Sequence, residues 1–594
     1  MEEKRGYTIS DIYQGGYSSL TPTYSGYVTA GSLGMTTDPR SANILQEVSS
    51  KLSSGVKNIE IEGVSPDVFD SIPKQQLKEV YRLSKLTGID VSMHAPVMNV
   101  SGIDQRSGFN KSEREMAERK VAETLLRAHE LNPQGNIPVN FHTAEGIPAS
   151  QFLPPSQREK EKTKYKQLIA VNKEDGRMAP LSSETEYYPS MIGKELEKGE
   201  YRIPEERIKS LNRTEWDNSI NQLVFNKDRV DQILEENKPI IEPLLSDLNS
   251  GRIDIHDIKS PTAQQAVRRV RLAEDYLEDV HKQINKLFSK AYEFGTSEQK
   301  NELKKLSETF KKDLEEKKEL IYGQSIAMDS FIHELKKPLY TPKMWVPIEE
   351  FATEKTAETF GNAAWQTYKN LKGKDVPILT IENPPAGMGL STGEDVRNVV
   401  KESRKKFVEN ATNNGLSKSQ AEAEAEKLIG ATWDVGHINM LRKYGYTEKE
   451  IIEEATHVAP LIKHVHLSDN FGFEHTELPM GMGNVPLKEI MEKLGQKGYD
   501  AKKIIEAGHW WQHFRTQPFQ ETLEAIGSPI YGMKMAPYWS QAPGLYQGYF
   551  GGYGQMLPQI NYETFGAGFS RLPSELGGQQ QGAQGGRMSG RPME

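Results

Sequence analysis

Eight short runs rich in Val and Ile, each followed by a segment of helical period, constrain this chain more than any other feature. The runs are YVTAGSLGM (27–35), KNIEIEG (57–63), DVSMHAP (90–96), IPVNFHTA (137–144), VPILTIEN (376–383), ATWDVGH (431–437), IKHVHLSD (462–469) and KKIIEAG (502–508). Between them, helices are legible from spacing. In PKQQLKEVYRLSKLTG (73–88), Leu77, Val80, Leu83 and Leu86 recur three apart, and Gly88 supplies a stop. Eight such units predict an α/β fold, a closed (β/α)8 TIM barrel.

One connection breaks the pattern. More than 200 residues separate the fourth run from the fifth. Their last part, 349–373, reads as the ordinary barrel helix, which leaves about 151–345 as a large helical insertion between strands 4 and 5. There Val270, Ala273, Leu277, Val280, Ile284, Leu287 and Ala291 alternate spacings of three and four, a coiled-coil seam. FGTSEQ (294–299) reads as a turn, and Leu303, Leu306, Phe310, Leu314 and Ile321 carry an apolar stripe back. A long antiparallel hairpin is expected, either a solvated decoration or an arm that covers the site, binds a partner or self-associates. The resulting partition is an N-terminal extension (1–26), barrel (27–150), insertion (151–345), barrel (346–540) and tail (541–594). The tail is rich in Gly, Gln and Tyr, lacks apolar periodicity, and is expected to be disordered.

Composition excludes several chemistries. The chain has no cysteine, so disulfides, thiolate metal sites and Cys nucleophiles are out, and any transition metal must be held by N and O donors. No stretch is long and apolar enough for a membrane span, and the opening MEEKRGYTISDIYQGGYSSL has no apolar h-region. A cytoplasmic location is the expectation. The net charge of −9 counts mildly against a protein that works only by gripping nucleic acid, although it does not describe a local groove.

Potential metal ligands stand at the ends of the predicted strands. They are His94, His142, Glu382, Asp434, His437, His466, His475, Glu477 and Glu506. A barrel builds its active site on the C-terminal face from such positions. Any one strand-end His is more often a hydrogen-bonded structural group than a ligand; nine in the same relation to their strands point to a metal centre. Imidazole and carboxylate without thiolate suit Zn, Mn or Fe better than Mg. His464 shares a face with His466 and is expected one layer deeper, in a core role. Glu60 and Glu62 alternate with Ile59 and Ile61, so one face of that strand is acidic. Glu62 is placed toward the mouth and Glu60 in a salt bridge inside. His509, Trp510 and Trp511 follow Glu506, with rim packing as the default.

These residues carry a family resemblance. HAP with His94, FH with His142, EN with Glu382, DxxH with Asp434 and His437, HLxD with His466, the His475/Glu477 pair before MGMGN (480–484), and Glu506 on the final strand resemble the xylose-isomerase-like TIM-barrel superfamily. The likeness is greatest to its endonuclease IV (AP endonuclease family 2) branch, and covers about 27–150 and 346–510. The resemblance implies three divalent ions, zinc first and manganese second. One takes His94, His142 and Glu382. The next takes Glu382, Asp434, His466 and Glu506. The last takes His437, His475 and Glu477. There are departures. His475 precedes Glu477 where the family has Asp and then His, Met482 stands at a usual Glu, and Val97 and Met98 follow HAP where the DNA enzymes carry an aromatic.

Charge separates two functions. Three divalent ions bring +6 and Glu382, Asp434, Glu477 and Glu506 bring −4, and the remaining +2 suits a phosphodiester. One ion held by Glu382, Asp434, His466 and Glu506 leaves −1, which suits a neutral sugar. The leading expectation is therefore a metal-dependent phosphodiester hydrolase acting on abasic-site DNA or a related phosphoester, with Glu382 and Glu506 as catalytic residues. The alternative is a mononuclear sugar isomerase or epimerase in which the same two glutamates form the acid/base pair. A non-enzymatic scaffold is the third reading, disfavoured by the intact ligand set.

Overall fold

The computed structural model describes residues 32–53, 56–143, 145–186, 200–249, 258–317 and 321–508, with a few isolated positions beyond. The expected extension (1–26), most of the first predicted strand, His509, Trp511 and the tail lie outside the described residues, apart from the antiparallel pair Arg587–Met588 and Arg591–Pro592.

Eight strands close a parallel barrel. They are β1 (Leu33–Thr36), β2 (Asn58–Glu62), β3 (Asp90–His94), β4 (Pro138–His142), β5 (Ile378–Glu382), β6 (Ile429–Asp434), β7 (Ile462–Leu467) and β8 (Lys502–Ile505). Each strand pairs with its sequence neighbours, and β8 closes onto β1. The strands are short and mostly buried on both faces. Outward Val and Ile side chains pack beneath the helices, while inward residues fill the barrel. Helices around it start on designed caps. Thr392, Ser417 and Thr447 each accept from the N3 backbone and are reciprocated by Asp395, Gln420 and Glu450. Helix Lys74–Thr87 buries Leu77 and Val80 and stops at Gly88, whose φ of 68° needs a glycine. Leu86, the last residue of the expected stripe, is 84% exposed.

The insertion leaves after β4 and returns before β5, as expected, but it is not all helix. Strand Tyr165–Asn172 pairs antiparallel with Gln151–Phe152, Met178–Ser182 and Trp345–Pro347. The last pairing ties the end of the insertion to its beginning. Beyond this sheet stand four helices, α1 (Pro204–Asn249), α2 (Pro261–Glu293), α3 (Ser297–Glu316) and α4 (Ile321–Leu335). The α2 seam from Val270 to Ala291 is fully buried, in one core with Trp216, Ile220, Leu223, Val230 and Leu234 of α1. The expected two-helix hairpin is corrected accordingly. The return stripe runs only to Glu316, Ile321 opens the next helix, and α1, which the sequence reading passed over, supplies the main partner face. Among the described residues no helix is long and apolar enough to cross a membrane.

Candidate metal centre

Parallel registry places the strand-end side chains side by side. Glu62 is opposite His94, His142 opposite Glu382, and Asp434 opposite His466. Glu506 follows β8 directly, its amide donating to the Leu467 carbonyl at 3.0 Å. The side chains of His94, Glu382, Asp434, His437 and His466 are buried, whereas His142 and Glu506 are only partly covered.

Among the described residues four sets of donors converge, two of them expected ligand sets and two containing Glu60. Single ligand atoms of His94, His142 and Glu382 lie within 4.8 Å of one another, and so do those of Glu382, Asp434, His466 and Glu506. Glu382 belongs to both. Its Oε2 faces His94 Nε2 at 3.6 Å and His142 Nε2 at 3.3 Å. Its Oε1 faces His466 Nδ1 at 3.1 Å and His437 Nδ1 at 3.5 Å. Glu506 Oε1 reaches the same His466 Nδ1 at 2.9 Å.

Imidazoles also meet in pairs. His94 Nε2 is 3.0 Å from His142 Nε2, and His437 Nε2 is 2.7 Å from His475 Nε2. Tautomers follow from the other nitrogen. His94 Nδ1 lies 3.0 Å from the Ala95 carbonyl and His437 Nδ1 lies 2.8 Å from the Asn383 carbonyl. A carbonyl only accepts, so each Nδ1 carries the proton and each Nε2, in the neutral ring, presents a lone pair to its partner. Two such nitrogens bonded to one ion at about 2.0–2.1 Å would stand roughly 3 Å apart. The donor set therefore fits a divalent cation. The third expected set is looser. Glu477 Oε1 is 3.8 Å from His475, and His437, His475 and Glu477 are not among the trios that converge within 4.8 Å.

Electrostatics of the ion-free protein point the same way. Burial opposes charge on His94, but Glu62, Glu382 and Glu506 outweigh it and hold the ring up to about 10. His466 is also raised well above its ordinary value, against burial, by Glu506, Glu382 and Glu60. Glu506 is pushed well up by burial, with the charges of Glu382 and Asp434 adding to it. Burial lowers His142 to about 3 and raises Glu62 to about 7. Glu382 stays well below the usual carboxylate range. Burial alone would raise it, and the His466 and His142 rings overcome that. Protons thus gather where a cation would sit.

Several positioning groups went unseen in the sequence. Asn383 donates to the Asp434 carbonyl at 2.9 Å and accepts from the Asp434 amide at 2.8 Å, clamping the ends of β5 and β6. Ser468 Oγ donates to Asp434 Oδ1 at 3.1 Å, and Asn140 Nδ2 donates to Glu382 Oε2. Asp469 accepts from the amides of Gly481 at 2.8 Å, Gly483 at 2.9 Å and Val485 at 3.1 Å, and so folds the turn that follows Glu477. A Cβ at Gly483 would stand 2.3 Å from both Asp469 Oδ1 and the Asn470 carbonyl, so this turn needs glycine. Strand alternation was the available signal for Asn140, two residues before His142. His464 lies in the layer below, 2.8 Å from Glu60.

Residues 409–527 match the family model described as "Xylose isomerase-like TIM barrel", a span that contains Asp434, His437, His466, His475, Glu477 and Glu506. An uncharacterized protein of Methanocaldococcus jannaschii is 36% identical over 80 residues, 14% of this chain. The match spans about a quarter of that relative's length, 26%. A crystal structure of a D-tagatose 3-epimerase-like protein aligns over 85% of this chain and 99% of its own, at 12% identity and a TM-score of 0.35. The superfamily includes endonucleases of the endonuclease IV kind as well as isomerases and epimerases, all enzymes. Over residues 409–527 the chain is similar to the xylose isomerase-like TIM-barrel family, and its described strands close a parallel barrel.

Proposed function

We propose that this protein is a metal-dependent phosphodiester hydrolase with a multinuclear centre, acting on abasic-site DNA or a related phosphoester. One observation carries the reading. The two oxygens of Glu382 face different imidazoles, Oε2 toward His94 and His142 and Oε1 toward His466. A carboxylate so placed would be shared by two bound ions. A single-ion sugar enzyme has no use for the two facing His pairs.

The ions would be held by His94, His142 and Glu382, by Glu382, Asp434, His466 and Glu506, and by His437, His475 and Glu477, with zinc or manganese suited to such donors. Bound there, they would supply Lewis-acid stabilisation of phosphoryl oxygens and a water acidic enough to ionise near neutral pH. The chain's own residues do the rest. Glu382 sets the spacing of the two sides, and Asn140 holds its Oε2. Ser468 and the Asn383 clamp fix Asp434. Glu506, 13% exposed in its side chain, lies at the open edge, where its carboxyl can hold or release a proton.

The second reading, a mononuclear sugar isomerase or epimerase, is favoured by one feature. Glu382, Asp434, His466 and Glu506 form a complete four-donor set by themselves. Metal per chain separates the two. Elemental mass spectrometry on protein purified without chelator should find about three ions, and the loaded protein should cleave abasic-site oligonucleotides. About one ion, with turnover of ketoses and no phosphodiester cleavage, would move the assignment to the isomerase.

A further inference from the structure

Strand β2 carries two acidic residues that stand outside the expected ligand sets, although ligand atoms of Glu60, His464 and His466, and of Glu60, Glu62 and Glu506, also lie within 4.8 Å of one another. Glu60 is the deeper, fully buried beneath the mouth. Its Oε2 accepts from Ser92 Oγ at 2.7 Å and pairs with His464 Nε2 at 2.8 Å. Its Oε1 lies 3.0 Å from His466 Nε2, an ion-pair contact without hydrogen-bond alignment. The opposite nitrogen of His466, Nδ1, faces Glu382 and Glu506. One imidazole therefore stands between a carboxylate below and the donor set above.

We infer that Glu60 is a positioning residue for the metal centre, its Oε1 set against the Nε2–H of His466 in a carboxylate–histidine–metal arrangement while Ser92 and His464 hold the carboxylate in place. Chemistry requires such a group. A neutral imidazole that ligates through Nδ1 must carry its proton on Nε2, and at a buried position such as His466 that proton needs an acceptor. Outer carboxylates of this kind orient the ring and raise its basicity. His94 has no comparable need, because its Nδ1 proton already meets the Ala95 carbonyl at 3.0 Å. Glu62 Oε1 stands farther from that nitrogen, at 3.5 Å.

The inference rests on the metal-centre reading, and its test separates the two. Zn2+ and Mn2+ dissociation constants are measured by chelator competition for wild type, Glu60→Gln and Ser92→Ala, with circular dichroism to check folding. Absorption spectra of the Co2+-loaded proteins report the geometry at the ion. The expected result is roughly 10–100-fold weaker binding in Glu60→Gln with unchanged saturating stoichiometry. The Co2+ bands should shift, and Ser92→Ala should show a smaller loss in the same direction. If Glu60→Gln does not fold, the Ser92→Ala affinity and Co2+ spectrum decide alone, and wild-type values there overturn the inference. Wild-type affinity and spectrum in a folded Glu60→Gln protein also overturn it. So does the loss of one whole ion at saturation, which would make Glu60 a ligand. A wild-type protein that binds no metal at all would instead sink the proposed function.

Discussion

The barrel mouth and the helical insertion are built on opposite physics. The insertion buries an apolar seam, Val270 to Ala291 on α2 against Trp216 to Leu234 on α1, and its surface charges are paired three or four residues apart, as is its one deeply covered cation among the described residues, Lys227, with Asp231. The mouth buries Glu60, Glu382, Asp434, His437, His464 and His466, groups that cost free energy to remove from water unless they are matched. Apolar burial stabilises whatever else is bound. A buried cluster of carboxylates and imidazoles is satisfied only with the right number of protons or cations, so its stability is tied to solution conditions.

The largest expected break in that contrast is at the shared carboxylate. Glu382→Gln should lower phosphodiesterase activity by about 10³-fold or more, the scale on which lost transition-state electrostatics is felt. At least one ion should leave with it, as counted by elemental analysis; full activity with full metal content would refute the bridging role.

Next in size is the response to pH. His94 is held up to about 10 in the ion-free protein, above its ordinary 6.5. Its pairing stabilises the fold fully below about 6.5 and is lost as pH rises through about 10. Glu62, raised from 4.5 to about 7, works in the same direction across that lower interval, because the folded state holds the proton longer. Ion-free protein should therefore melt at lower temperature as pH climbs from about 6.5 to about 8, the window where the lowered His142 and Lys503 do not oppose the trend. The stabilisation added by Zn2+ should instead grow with pH, since binding must displace those protons. Calorimetry in buffers of different ionisation enthalpy should record proton release at pH 7, and zero release would contradict the assignment of His94 as a ligand.

A smaller effect should fall on the insertion alone. Leu277, 3% exposed on the α2 seam, should cost about 2–5 kcal/mol when cut to Ala, through lost burial and the cavity left behind. Metal affinity should not move, and a fall in affinity would mean that the two regions are energetically one. Last comes Lys282, paired on the α2 surface with Glu278 at 3.1 Å and Asp279 at 3.5 Å. Lys282→Ala should leave the melting curve unchanged within error, because exposed pairs are screened and pay side-chain entropy.

Much of the barrel was legible because its signal is local. A Val/Ile run bounded by turns reads as a strand, and a His or carboxylate at its end reads as a mouth residue, as with His94 and Glu382. Neutral helpers left no such trace. Asn383, the second residue of the EN motif, and Ser468 have no charge to mark them, and only the register of β5, β6 and β7 gives them partners. The insertion's sheet was missed because YKQLIAVN (165–172) sits among charged residues and gets its partners from strands as distant as Trp345–Pro347. Helix α1 holds Pro239 and Pro243 within its span, which reads as a break, yet its apolar face was long enough to keep the helix going. The third ligand set illustrates the reverse case. His475 meets His437, while Glu477 sits at φ 40°, a strained backbone that spacing alone could not reveal.

The register of β4 with β5 has a consequence for how the protein is made. His142 and Glu382 are neighbours across the barrel wall, yet the whole insertion is translated between them. A nascent chain that has just completed the insertion displays His94 and His142 without any of the remaining donors. The pairing of Trp345–Pro347 with Ala170–Asn172 lets the insertion close on itself and wait. A cation meeting this half-built protein on the ribosome would find two imidazoles without Glu382, the carboxylate that faces both. On the proposed reading, metal selection would be deferred until the last strand has emerged, so that the finished pocket rather than a stretch of unfolded chain makes the choice.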